Sequence, residues 1–216
     1  MMGVYQIIGN DDLYKKRDNE YVVPNEKYVI LRYLVLSSST CNSIEWLDNE
    51  LNQMSNKGAP KKGMKRLFKE FNLVKNMGHG IQIQLNDQHN LTIWDVSMTN
   101  FDKNSNIYKD MMEKNITSIK FQVLFTDRFP FNPPFIRVVE PVFIPQTAHI
   151  TRNGAICMEL LTPQNWSQVS SLENILIQIK TLVVEGGGRI QSNNKYGTLE
   201  EAKMSFNQVA KSHGWM

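Results

Sequence analysis

FPFNPP, from Phe129 to Pro134, and FIPQTAHITRNGAICMELLTPQNW, from Phe143 to Trp166, are the stretches whose reading decides the fold. The first is a turn that its prolines stiffen. The second carries two prolines, an Asn-Gly pair and a cysteine but no regular period, and long irregular stretches inside compact domains are usually functional. Asn153-Gly154 favours a tight turn, which sends Ala155, Ile156 and Cys157 out of it in an extended or irregular conformation. Cys157 is then a candidate nucleophile, although a lone cysteine between Ile156 and Met158 reads, from composition alone, as a small buried hydrophobe.

Working outward, four strand candidates surround the first stretch: Gly80 to Leu85, Leu91 to Met98, Ile119 to Phe125 and Phe135 to Val139. Short links imply an antiparallel meander. The interval from Asp102 to Lys114 is charged and long for a hairpin, so it is expected to be an extended loop, with room for a helical turn. Ahead of the strands, Met64, Leu67, Phe68, Phe71 and Val74 line one face of a helix that ends by Gly78. Its other face carries Lys65, Arg66 and Lys69, which read as solvated surface or as a docking face.

Beyond the crossing segment, Ser170 and Glu173 have capping-box spacing ahead of the stripe Leu172, Ile175, Leu176, Ile179, Leu182 and Val183, which a triple glycine stops. A final helix begins at Thr198, boxed with Glu201, and ends near Gly214. The order helix, four strands, crossing segment, two helices is an α+β plan.

A length of 216 residues suits one domain with an extension. The breaker SNKGAPKKG separates residues 1–60, an extension with a strand candidate at Tyr28 to Leu36 and a helical spacing from Ser43 to Met54, from a core domain over residues 61–216. Hydrophobic residues at 41% supply a core, and 24 Lys plus Arg against 21 Asp plus Glu leave only +3, too little for a phosphate-tracking protein; nucleic acid is not expected as a partner. The two cysteines, Cys41 and Cys157, exclude a disulfide framework. His79 and His89 have no cysteine at metal spacing, so turn or surface roles are expected for them and no metal or cofactor is needed. Neither a secretory signal nor a membrane span is expected, and a reducing compartment, cytoplasmic or nuclear, fits.

The combination of the amphipathic first helix, FPFNPP, NGAICMELL around Cys157, Trp166-Ser167 and the apolar helix after them resembles the ubiquitin-conjugating enzymes over about residues 61–216. GAICMELLTPQNWS and the Gly-Trp tail are most similar to the Q-like branch of that family. The resemblance implies a UBC-like fold: N-terminal helix, four-stranded antiparallel meander, active-site crossing segment and C-terminal helices. It implies that Cys157 receives the C-terminal glycine of ubiquitin from the activating enzyme, in an ATP-dependent pathway, and passes it to an acceptor amine or hydroxyl. A thiol suits this work, being a strong nucleophile whose thioester is a good acyl donor. Ubiquitin, the activating enzyme, a ubiquitin ligase and protein substrates are the implied partners.

The family's usual His-Pro-Asn triplet is replaced here by Thr147-Ala148-His149, with His149 at the asparagine position, eight residues before the cysteine. His149 is therefore a candidate for oxyanion or loop support. Glu159 stands where the family carries a residue that orients an incoming lysine, and His213 is a candidate base for a hydroxyl acceptor or else a capping residue. Phe131, with Lys65 and Arg66, falls on the ligase-facing side by similarity. Two other readings compete: a non-catalytic UBC-fold module that only positions ubiquitin, kept open by the altered His149 region, and a cysteine hydrolase, which nothing in the sequence favours.

Overall fold

The computed structural model describes residues 16–17, 20–21, 62–87 and 90–215. The strand and helix expected between Tyr28 and Met54, along with Cys41 and His89, lie outside the described residues. Lys16–Arg17 pairs antiparallel with Glu20–Tyr21. The other described residues form an α+β core.

Helix α1 (Lys62–Asn76) buries Leu67, Phe68 and Val74 from its apolar stripe. It lies against the first two strands of an antiparallel sheet whose order follows the chain: β1 (Ile81–Asp87), β2 (Asn90–Met98), β3 (Ile119–Leu124) and β4 (Phe135–Glu140). The register sets Ile83 opposite Val96, Val96 opposite Phe121 and Phe121 opposite Val138. Because side chains alternate along a strand, those rows form one continuous apolar face. Helix α3 (Leu172–Glu185) adds its stripe of Leu172, Ile175, Leu176, Ile179 and Val183 to the same core.

Trp94 is fully buried at the centre, and its indole N–H donates to Leu91 O at 2.7 Å. From it an aromatic row runs outward: Phe71 and Phe125 lie 5.3 and 4.7 Å from its ring, Phe129 lies 4.9 Å from Phe125, and Trp166 lies 6.3 Å from Phe129. Such offset and edge-on pairs add to the burial of apolar area. The row joins the sheet core to the segment that follows Cys157.

Three features differ from expectation. The interval after β2 holds an eight-residue helix, α2 (Asn106–Glu113), which Ser105 caps by accepting from Tyr108 N. Its buried face includes a charge: Asp110, 3% exposed, accepts from Arg189 Nε at 2.8 Å, from Arg189 Nη2 at 3.1 Å and from Ile190 N at 2.8 Å. Periodicity assigns a carboxylate to solvent, which hid this helix. A second sheet of two short strands, β5 (Val142–Phe143) and β6 (Ile190–Ser192), clips the chain after β4 to the chain after α3.

The N-cap of α3 is Ser171 rather than Ser170, with its side chain accepting from Asn174 N. The next backbone N–H, of Leu172, donates to buried Glu70 Oε2 of α1 at 2.8 Å. Arg66 Nε holds the other Glu70 oxygen at 2.7 Å, and its Nη2 reaches Ser170 O at 3.0 Å. Arg66 is thus a tie between α1 and α3 and not simply solvated surface. A carboxylate on a helix N-terminus is favoured by the positive end of the helix dipole.

Helix α4 (Leu199–Ser212) starts with the expected reciprocal box between Thr198 and Glu201. It ends where Gly214, at φ +71°, donates to Lys211 O and Trp215 N donates to Ala210 O at 2.9 Å, a pairing that needs a left-handed residue. Ala202, Phe206 and Ala210 pack with Ala155 of the crossing segment, and the Phe206 ring meets Phe135 of β4 edge-on at 6.0 Å.

Candidate active site

The crossing segment occupies the outer edge of β4. Val138 N donates to Gly154 O at 2.8 Å and Ile156 N to Ile136 O at 3.0 Å, so the residues just before Cys157 are tied to the sheet. The Asn-Gly turn forms as expected: Gly154 N donates to Thr151 O at 2.9 Å and Gly154 sits at φ +89°. A Cβ there would stand 2.8 Å from Val138 O, so a side chain would prevent this approach. The chain then returns beside itself. Ile156 bridges to Ile150, and Cys157 N donates to His149 O at 2.8 Å.

Gln146, Ala148 and His149 all have φ between 53° and 66°. Left-handed backbone costs a residue with a side chain roughly 1–2 kcal/mol, so the surrounding structure must hold this run in place. Ala148 N donates to Gly186 O at 2.9 Å, and the His149 carbonyl takes the Cys157 N–H. Backbone strain of this kind gathers at functional sites.

Cys157 is half-buried and opens onto a cleft of about 560 Å³. His149, Arg152, Gly186, Val209 and His213 are among the residues that line the cleft with it. Helix α4 is therefore one wall of the site and the strained run another. Burial pushes the thiol up from its ordinary pKa, and no neighbouring charge among the described residues offsets this. The resting group is a neutral thiol, nucleophilic through the small thiolate fraction it releases.

The structure brings His149 and His213 to the cysteine's cleft; both side chains are exposed, and the His213 ring stacks on Trp215 with 4.7 Å between centroids. Glu159 begins a short 3-10 turn (Glu159–Leu161), is exposed, and is not among the residues lining the cleft. Trp166 is part-buried on the core side of the segment, its indole N–H donating to Pro130 O at 2.7 Å. Phe131 is 60% exposed beside that tie, and Val169, on the stretch that Arg66 holds, is 82% exposed. Lys65 is exposed on α1.

Sequence reasoning missed Arg152, Val209 and the buried hydroxyl pair of Thr151 and Ser205. A faint signal existed: Ser205 falls on the apolar face of α4, between Ala202 and Phe206, where a polar residue needs a partner. Among the described residues no cluster of His, Cys, Asp and Glu could hold a metal ion, and no helix is long and apolar enough to cross a membrane.

A family model described as ubiquitin-conjugating enzyme matches residues 66–213. Among relatives of that kind, the human Q-like protein 1 is 36% identical over 143 residues, covering 63% of this chain and 87% of that one. Its mouse counterpart is 37% identical over 134 residues, covering 59% and 82%. "Ubiquitin-conjugating enzyme E2 25" of Caenorhabditis elegans is 33% identical over 164 residues, covering 69% and 42%. Among solved structures, a ubiquitin-conjugating enzyme of Plasmodium falciparum matches with 22% identity over 58% of this chain and 88% of that one, at a TM-score of 0.47.

Proposed function

Because this chain belongs to the ubiquitin-conjugating enzyme family and to its Q-like branch, we propose that Cys157 is the residue that carries ubiquitin. The observation behind this reading is a half-buried thiol at an open cleft, held at the end of a hydrogen-bonded return on the sheet edge. In charging, the Cys157 sulfur attacks the ubiquitin C-terminal acyl carbon on the activating enzyme, that enzyme's thiolate leaves, and the Cys157 proton passes to solvent. In discharge, an acceptor lone pair attacks the new thioester carbonyl, the C–S bond breaks, and the proton lost by the acceptor replaces the one Cys157 gave up. His149, fixed through its own carbonyl to Cys157 N, is the candidate donor to the developing oxyanion.

The acceptor is an amine in the first reading. A hydroxyl is the second, carried by His213: it lines the cleft, and a hydroxyl needs a base to lose its proton during attack. Glu159 is the proposed contact for an amine that arrives from outside the cleft. Phe131 and Lys65 face a ligase, and Arg66 holds the stretch that carries exposed Val169 through Gln168 O and Ser170 O. Cytoplasm or nucleus is the proposed location, where free thiols persist.

The test is incubation with activating enzyme, ATP and ubiquitin on a non-reducing gel. A thiol-sensitive adduct lost in Cys157→Ala supports the reading, and an adduct surviving that substitution overturns it. Offering lysine, serine and glycerol to the charged enzyme, with and without His213→Ala, then decides between the acceptors.

A further inference from the structure

Among the described residues, the cleft beside Cys157 is lined by one guanidinium, Arg152, and two imidazoles, His149 and His213, and by no carboxylate. Arg152 is exposed, and its side chain has no ion-pair or hydrogen-bond partner among the described residues. Three other arginines of the core are engaged, Arg66 by Glu70, Arg189 by Asp110, and Arg137 by Gln122 and Gly197 O, while Arg128 is exposed and lies outside this cleft. Nor is the Arg152 charge used on the sulfur, whose pKa is shifted by burial alone.

The mount of this charge is rigid. Arg152 is the second residue of the turn from Thr151 to Gly154; Thr151 is locked to Ser205 of α4, and Asn153 Nδ2 reaches Glu201 O at 3.2 Å. An unpartnered cation carried on an anchored backbone beside a cleft acts on whatever chain passes it.

We infer that the favoured acceptor is a nucleophile set in an acidic stretch of polypeptide, with Asp or Glu within a few residues of the group modified. This rests on the assignment of Cys157 as the ubiquitin carrier. Basic flanks meet repulsion from Arg152, and acidic flanks meet a partner that no other group claims. The pair is solvent-exposed, so the expected preference is modest, about twofold to fivefold in discharge rate at low salt.

The test uses the full chain, charged with ubiquitin and freed of activating enzyme. Single-turnover discharge is measured to three peptides with one acceptor residue each and flanks of Asp and Glu, of Ala and Gln, or of Arg. The expected order is acidic, neutral, basic, with the spread narrowing in high salt as charges are screened. Arg152→Glu should reverse the order and Arg152→Lys should keep it. Equal rates, or the same order in Arg152→Glu, overturn the inference. Absence of any Cys157 thioester would instead overturn the parent assignment, and is read before the peptides are added.

Discussion

The Thr151 and Ser205 hydroxyls lie 2.8 Å apart in a buried contact between the turn that precedes Cys157 and helix α4. Their proton direction is determined by their neighbours. Ala155 N donates to Thr151 Oγ1 at 3.0 Å and Ser205 Oγ donates to Ala202 O at 2.9 Å, so Thr151 donates to Ser205. The chain of donors couples the wall of the cleft that bears His213 to the segment that bears Cys157.

Ser205→Ala leaves the Thr151 hydroxyl without its acceptor and is expected to destabilise the fold by about 1–3 kcal/mol. Thr151→Val alone should cost a similar amount. In the double variant the losses should fall well short of their sum, because both remove the same bond. Denaturant midpoints read this directly, and strict additivity would show the hydroxyls to be independent.

Burial holds the Cys157 thiol pKa above its ordinary value. The rate of alkylation by iodoacetamide should therefore keep climbing as pH rises past about 8.5, where an unperturbed cysteine is half ionised. The unfolded chain ionises first, so it binds fewer protons in that window and stability falls as pH rises through it. A rate plateau below pH 8 would contradict the burial effect.

The Asp110 carboxyl shows the opposite sign. Burial raises it, but the hydrogen bonds from Arg189 and Ile190 N and the charges of Arg189 and Lys114 outweigh that and hold its pKa below the usual range. Its contribution is present above the unfolded carboxylate pKa of about 3.9 and is lost as pH falls through the lower folded value. Asp110→Asn should cost about 1–3 kcal/mol at neutral pH and flatten the acid limb of the stability curve. An unchanged acid limb would assign acid unfolding to other groups.

His149 combines a left-handed backbone with a side chain at the cleft. His149→Gly keeps that conformation at no steric cost and deletes only the imidazole, so melting should hold or rise slightly while thioester discharge slows about tenfold or more. His149→Val should lower stability as well. If the glycine variant discharges at the normal rate, the ring is dispensable and His149 serves the loop alone.

Much of the core is legible residue by residue. The apolar run through Leu67, Phe68 and Val74, the alternation of Ile119, Phe121 and Val123, the reciprocal box of Thr198 with Glu201 and the turn at Asn153-Gly154 each appear where their local pattern places them. Two of the departures trace to a buried charge that local pattern does not reveal. Asp110 concealed α2, and Glu70 took over part of the capping of α3 that Ser170 and Glu173 were expected to share.

The amino-acid order alone determined the three long helices α1, α3 and α4 and the four-stranded sheet, because those choices depend on neighbours a few residues apart. It also singled out Cys157, through the irregular stretch around it. Only the tertiary structure decided what surrounds that sulfur. His149, Arg152 and Val209 reach one cleft because the segment lies along β4 and α4 packs against it through Ala155, Ser205 and Phe206. Proximity of that kind is set by packing between distant residues, and it leaves no period in the chain for a reader to find.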